Sequence, residues 1–190
     1  MIFFWNVLRM SASKLRGKIL WVLWTAGKPM TLQWISEKAG LTSSSTTEYL
    51  SELKKAKYVS VPQEGYYAIT YQGKMALGLP KVDTAVALKI LSPVSMEKAF
   101  HFYYALNYPS GVYADSLKDF VDKIQKVDLN CIEFHFLRKD FELWIQSLGD
   151  LELSKKLELL RMKSLSGENL RKEIYETVNS RYEELKRLSI

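Results

Sequence analysis

Glycines at positions 27, 40 and 65 cut the first third of the chain into segments too short for anything but brief helices and strands. In "SKLRGKILWVLWTAG", Leu15, Ile19, Val22 and Leu23 fall at helical spacing, Ser13 can cap the start and Gly27 the end. "TLQWISEKAG" repeats this grammar in shorter form, with Thr31 as N-cap, Leu32 and Ile35 inward and Gly40 at the close. An unbroken run of hydroxyl residues follows, Thr42 to Thr47. Ser and Thr compete with the backbone inside helices but stabilise helix starts, so the run reads as the first turns of a third helix. Thr42 or Ser43 would cap that helix, and Tyr49, Leu50 and Leu53 would form its inner face. Beyond it, the β-prone runs "KYVSV" and "YYAIT" flank "PQEG", which predicts a hairpin with Gly65 at positive φ.

Composition narrows the class. At 190 residues, 47% apolar and 25% charged, the sequence fits a soluble globular chain of one or two domains. The apolar run "MIFFWNVL" is far shorter than the roughly 20 residues that span a bilayer, and no Lys or Arg precedes it, so neither a membrane segment nor a signal peptide is expected. The expected compartment is the cytoplasm, with which the single cysteine, Cys131, is consistent because it cannot form an internal disulfide. Met10 offers an alternative start, and a partner subunit would cover the apolar area of "MIFFWNVL". The net charge of +6 is unevenly spread. Residues 1–80 hold ten Lys/Arg against four Asp/Glu, whereas the remainder is neutral with seventeen of each. Such asymmetry suits one domain that meets a polyanion and another that meets protein or solvent.

Three helices and a hairpin, with the tight "AGL" turn between the second and third helices, resemble the winged helix-turn-helix family of archaeal and bacterial transcription regulators over about Ser13 to Leu79. The carrying residues are the Gly40-Leu41 turn, the Leu50/Leu53 pair, the basic exit "KKAKYV" and the "T-x-x-G" helix start at Thr70 to Gly73. The resemblance implies a recognition helix and a wing. Duplex DNA asks for side-chain donors and acceptors in the major groove, with cations and amides for phosphates. Ser43, Ser44, Ser45, Thr47 and Ser51 would face bases, Lys54, Lys55 and Lys57 would hold phosphates at the helix exit, and Arg16 and Lys18 would do so near the first helix. Two departures stand out. Glu48 occupies a position where such regulators often carry a cation, and the wing tip "PQEG" has no Arg for the minor groove.

After residue 80 the text changes. Residues 81–99 read as a helical connector broken at Pro80 and Pro93, and 100–190 as a helical domain of five helices, making the fold class mainly α. Asp115 or Ser116 can cap "SLKDFVDKI", and Asp140 can cap "FELWIQSL". In the last segment Leu170, Ile174, Val178, Tyr182, Leu185 and Leu188 form one stripe, able to pack on the domain or on a second chain. The order "SGVYADSLKDF", "IEFHF", "DFELWIQSLGDLELSKKL", "LRKEIYETV" resembles a prokaryotic domain family of unknown function. Its pattern is carried here by Gly111, Ala114, Ser116, Leu117, His135, Asp140, Phe141, Trp144, Leu148, Gly149, Leu170 and Arg171. That resemblance implies a helical domain and no activity.

Other chemistries find less support. Cys131 and His135 would share a helix face, with Glu133 and Asp140 near, but a metal site needs three or four ligands and the chain has two histidines and no cysteine pair. The apolar neighbours Ile132, Phe134 and Phe136 favour a histidine hydrogen-bonded at a core edge. Were this segment a strand instead, Cys131, Glu133 and His135 would share a face. Neither a dinucleotide-binding nor a P-loop glycine pattern occurs, nor a G-x-S-x-G elbow, so no catalytic residue and no cofactor are assigned. "FHFYYALNYPSGVY" suits a core or a small-ligand surface. The resulting expectation is a DNA-binding transcriptional regulator: a winged helix in residues 1–80 on double-stranded DNA, working as a homodimer, with the C-terminal domain for dimerisation or for sensing a small-molecule or protein effector. The alternatives are a protein-interaction adaptor using the same winged helix, and a small-ligand sensor or enzyme in the C-terminal domain.

Overall fold

The structure, a computed structural model, describes residues 12–190. The expectations for "MIFFWNVL" and for a start at Met10 lie outside the described residues. The chain divides into two compact units, one ending at Leu79 and the other beginning at Pro80.

In the first unit, α1 (Ala12–Ala26) stops at Gly27, whose φ of +66° turns the chain while its N–H bonds the Trp24 carbonyl at 3.2 Å. Ser13 lies inside the first turn of α1 and does not cap it, because the helix starts one residue earlier. A two-residue strand, β1 (Met30–Thr31), leads into α2 (Leu32–Ala39). There the Thr31 hydroxyl accepts from the Trp34 N–H, and Gly40 ends the helix in the left-handed region. α3 (Ser43–Lys55) is capped by Thr42, which accepts from the Ser45 N–H at 3.2 Å, so Ser43 is already helical. Ile19 and Leu23 of α1, Ile35 of α2, and Leu50 and Leu53 of α3 are buried together. Thr46 joins them, and its hydroxyl donates back to the Thr42 carbonyl at 2.9 Å.

Beyond α3 the chain reverses at Lys57, which takes φ +62° in a place glycine usually fills. β2 (Val59–Gln63) and β3 (Tyr66–Ile69) form the hairpin, with Gly65 at φ +77°, and β1 pairs with the far side of β3. Pro62 has no N–H to give a ladder; it sits on edge strand β2, where the register shifts between Ser60 and Gln63. Thr70 then caps α4 (Tyr71–Ala76): its hydroxyl accepts from the Gly73 N–H at 3.1 Å and donates to the Lys57 carbonyl at 2.7 Å. A Cβ on Gly73 would stand 2.3 Å from the Tyr58 carbonyl oxygen, so only glycine allows α4 to close against the exit of α3.

Within residues 81–99, read as a helical connector, α5 (Thr84–Leu91), capped by Asp83, buries Ala87 and Ile90 in the core of the second unit. The helical domain expected beyond residue 99 also holds strands. A short 3-10 turn (Met96–Lys98) opens an antiparallel hairpin, β4 (Phe100–Ala105) with β5 (Tyr108–Ala114). Alternating Phe100 and Phe102 point inward, and the chain turns at Asn107 with φ +61°. Five helices follow: α6 (Leu117–Ile124), α7 (Leu129–Arg138), α8 (Asp140–Leu148), α9 (Leu151–Arg161) and α10 (Gly167–Leu188). Ser116 caps α6, accepting from the Asp119 N–H. Asp140 does not cap α8; it is the first helical residue and its carboxylate points to His135.

Phe100, Phe120, Phe141 and Trp144 pack edge and face, ring centroids 5.2–5.6 Å apart. The indole N–H of Trp144 donates to the Lys98 carbonyl. Arg171 on α10 donates from Nη1 to the carbonyls of Ile124 and Val127, covering the open end of α6. Leu170, Ile174, Val178 and Leu185 are buried within the unit, so the apolar stripe of α10 packs on its own domain. On that stripe, 1% exposed, stands Arg181. It grips Asp150 through two hydrogen bonds, Nε to Oδ2 at 2.8 Å and Nη2 to Oδ1 at 3.1 Å, and its Nη1 reaches Glu152 and Glu184, each at 2.9 Å. Burial alone would lower the guanidinium pKa; Asp150, then Glu152 and Glu184, override this and raise it above its ordinary value.

Removing the cation of such a group leaves a buried carboxylate without its counter-charge. Arg181→Met is expected to destabilise the chain by about 3–5 kcal/mol, read as a lowered urea midpoint, because the buried Asp150 loses the guanidinium that grips it. An unchanged midpoint would show that the cluster does not hold α10 to α9.

Candidate nucleic-acid interface

The buried residues of α3 fix which of its side chains face outward. With Thr46, Leu50 and Leu53 inward, a period of 3.6 residues puts Ser44, Glu48, Ser51 and Lys55 in a row on the opposite side, all exposed. Ser43, Thr47 and Lys54 lie along one flank of this row. Ser45 lies on the other, half-buried, beside Glu52.

The hydroxyls are not equivalent. Thr47 donates to the Ser43 carbonyl at 2.8 Å, and Thr42 donates to the Ser45 oxygen at 3.0 Å. The hydroxyls of Ser43, Ser44 and Ser51 have no bonded partner among the described residues, which leaves them able to donate or accept.

The cations divide as well. Lys54 and Lys55 in the last turn of α3, and Lys57 just past it, are exposed and have no carboxylate partner among the described residues. Lys18 brings its ammonium beside Gly40, 3.7 Å from where a Cβ would stand, and so lies at the turn before α3. Arg16 is engaged: Nη1 donates to Glu52 Oε2 at 2.6 Å, tying α1 to α3. That pair also neutralises Glu52. Glu48, in the middle of the outer row, has no ion-pair partner among the described residues. The sequence marked Glu48 as a departure; what it did not give was its place at the centre of the face, which follows only once Thr46 is known to be buried. The tip of the β2–β3 hairpin is Glu64-Gly65, with the exposed ring of Tyr66 beside it.

In the second unit, Cys131 and His135 do share a face of α7, and both are buried. Among the described residues no three His, Cys, Asp or Glu side chains gather as a metal site. Burial raises the Cys131 thiol pKa, which keeps it protonated and unreactive. Both nitrogens of His135 are taken. The Tyr103 backbone N–H can only donate, so Nε2 at 2.7 Å accepts, and the ring proton sits on Nδ1, donated to Asp140 Oδ2 at 2.7 Å. Arg138 also donates to that oxygen at 3.0 Å. The ring thereby joins α7, α8 and the β4 strand. Beside it lies a groove of about 360 Å³, whose lining includes His101, Tyr103, Asn107, Phe134 and Arg138.

Burial depresses the His135 pKa below its ordinary 6.5, more than the hydrogen bond and charge of Asp140 raise it. The folded chain then binds fewer protons than the unfolded one below about pH 6.5. The stabilisation is therefore complete above that value and lost as the pH falls beneath it. Urea midpoints are expected to fall as the pH drops below 6.5 in the native chain, and this part of the decline should vanish in His135→Gln, which does not titrate. An equal decline in both would remove His135 as its source.

A family described only as a family of unknown function, DUF5752, matches residues 82–179. The match begins two residues before α5 and so takes in that helix, in keeping with the packing of Ala87 and Ile90, and it spans the β4–β5 hairpin, the His135–Asp140 pair and most of α10. No curated protein and no solved structure matches the chain. With just over half of its length covered by that match, the chain belongs to the DUF5752 family.

Proposed function

We propose that the first unit is a winged helix-turn-helix that binds duplex DNA, and that the protein is a transcriptional regulator acting as a homodimer. The observation that carries this reading is the outer row of α3, a polar face backed by a closed core and followed by three lysines without a carboxylate partner among the described residues, in the part of the chain that holds all the net positive charge. α3 would enter the major groove with Ser44, Glu48 and Ser51 toward base edges. Lys54, Lys55 and Lys57 would rest against phosphates, and Lys18 would reach the backbone beside the turn. Arg16, held by Glu52, would position α3 and not contact phosphate. The hairpin β2–β3 is the wing of this reading, and its tip, without a cation, would lie along the backbone. The second unit would dimerise the chain or bind an effector, for which the groove beside His135 offers space.

A second reading places a protein on the same face of α3, and one observation favours it: the carboxylate of Glu48, without an ion-pair partner among the described residues, would repel phosphates. Salt separates the two. Four lysine–phosphate contacts per protomer, from Lys18, Lys54, Lys55 and Lys57, give a slope of about −3.6 per protomer for log affinity against log salt. On DNA, Lys54→Ala with Lys55→Ala is expected to weaken binding to every duplex and flatten that slope by about two, whereas Ser44→Ala changes which duplex is preferred. Binding measured by fluorescence anisotropy across a salt series checks both. Failure to retain any duplex at low salt favours the protein-docking reading.

A further inference from the structure

Of the four carboxylates in the first eighty residues, one is placed where a base reader would stand. Glu37 lies next to Lys38 at 3.5 Å, Glu52 is bound by Arg16 at 2.6 Å, and Glu64 is at the hairpin tip. Glu48 alone is on the outermost line of α3, four residues after Ser44 and three before Ser51, with its oxygens unpaired among the described residues. The Arg16–Glu52 pair keeps the neighbouring carboxylate, one turn on, from adding its charge to this face.

Resting on the DNA reading, we infer that Glu48 is the specificity-determining residue of that face, accepting a hydrogen bond from the exocyclic amine of a cytosine in the major groove. The chemistry leaves little choice. An ionised carboxylate only accepts. Guanine offers N7 and O6, both acceptors, and thymine offers O4, also an acceptor; each would leave Glu48 desolvated and opposed. Adenine sets its amine beside the acceptor N7, whereas cytosine presents the N4 amine without an acceptor on the same base edge. Ser44 and Ser51 on either side can donate or accept and so tolerate several neighbours. The carboxylate thus acts twice: it attracts one base, and it lowers affinity for every duplex that lacks that base in register. Attachment to phosphate falls to the lysines at the end of the helix, away from Glu48.

The test is selection of duplexes from a random pool by the full chain at low salt, followed by sequencing, for the native protein, Glu48→Gln and Glu48→Ala. Because Glu48 is exposed, both variants should keep the native urea midpoint, which is measured alongside. The native chain is expected to enrich cytosine at one fixed position by roughly five-fold or more over other bases. Glu48→Gln should move that position toward adenine, whose N6 and N7 an amide pairs with, and Glu48→Ala should leave it unspecified while binding the unselected pool more tightly. Enrichment of the same cytosine by all three chains, or its absence from the native selection while other positions are enriched, overturns the inference and leaves the DNA reading standing. If the native chain retains no duplex, the DNA reading falls and Glu48 loses this role with it.

Discussion

The second unit depends on one buried cation. Arg181 sits on the inward side of the longest helix, among Ile174, Val178 and Leu185, where an apolar residue would be the ordinary choice. Moving a guanidinium there costs several kcal/mol unless its donors are met, and they are met by carboxylates from two other places: Asp150 and Glu152 at the start of α9, and Glu184 one turn along α10. Asp150 has a second task, since its Oδ1 also accepts from the Leu153 N–H and so caps α9. The cap of one helix and the clamp on another are thus the same side chain, and α9 cannot start in a different register without breaking the grip on α10. A further ion pair, Glu142 of α8 with Arg161 of α9, fixes the far end of α9, where Arg161 also lies over the Phe136 ring.

A different device holds the first unit. Its core is small, and α3 is fixed at both ends by hydrogen bonds to backbone groups: the Thr42 hydroxyl accepts from the Ser45 N–H at the start, and at the exit the Thr70 hydroxyl and N–H donate to the carbonyls of Lys57 and Tyr58. Gly73 lets α4 sit directly on that exit. The consequence is a helix whose inner side is fully occupied by Thr46, Leu50 and Leu53 and whose outer row owes nothing to packing. Ser44, Glu48 and Ser51 contribute little to stability, so their chemistry is free to serve recognition.

Much of this was legible because caps and glycines act locally. Thr31, Gly40, Thr42, Gly65 and Thr70 each do what their residue type does in isolation, so short-range reading located the three helices and the hairpin. Residues 100–114 were read as part of a helical domain because their aromatic density hid the alternation of Phe100 and Phe102, and the turn depends on an asparagine, not on a glycine pair. The segment 81–99 follows Pro80 and contains Pro93, which signal breaks but say nothing of burial; that Ala87 and Ile90 are core is a fact about distant partners. Asp140 shows the same limit. Its position suits a cap, yet His135 and Arg138 draw its carboxylate away, and no local rule weighs a cap against a buried imidazole. Arg181 was invisible for the converse reason, since a charged residue in an apolar stripe is ordinarily assigned to solvent.

The two units also differ in how they balance charge, and the difference bears on what each can meet. The second unit has as many acids as bases and sets them against one another, in Arg181 with Asp150, Arg161 with Glu142, Lys163 with Glu173, and Lys123 with Asp119. Its surface therefore exerts little net attraction on a distant polyanion. The first eighty residues cannot do this, because four carboxylates cannot pair with ten cations. Arg16 and Lys38 have acidic neighbours, while the three lysines at the end of α3 have none among the described residues. Their repulsion is tolerable in water, where exposed ammonium groups are well screened, and it falls when phosphates replace the solvent ions around them. An excess of cations beside a polar, unpacked helix face is a cost to the isolated unit that a polyanion would remove, and in the proposed DNA reading the one carboxylate left on that face is the group that would distinguish one duplex from another.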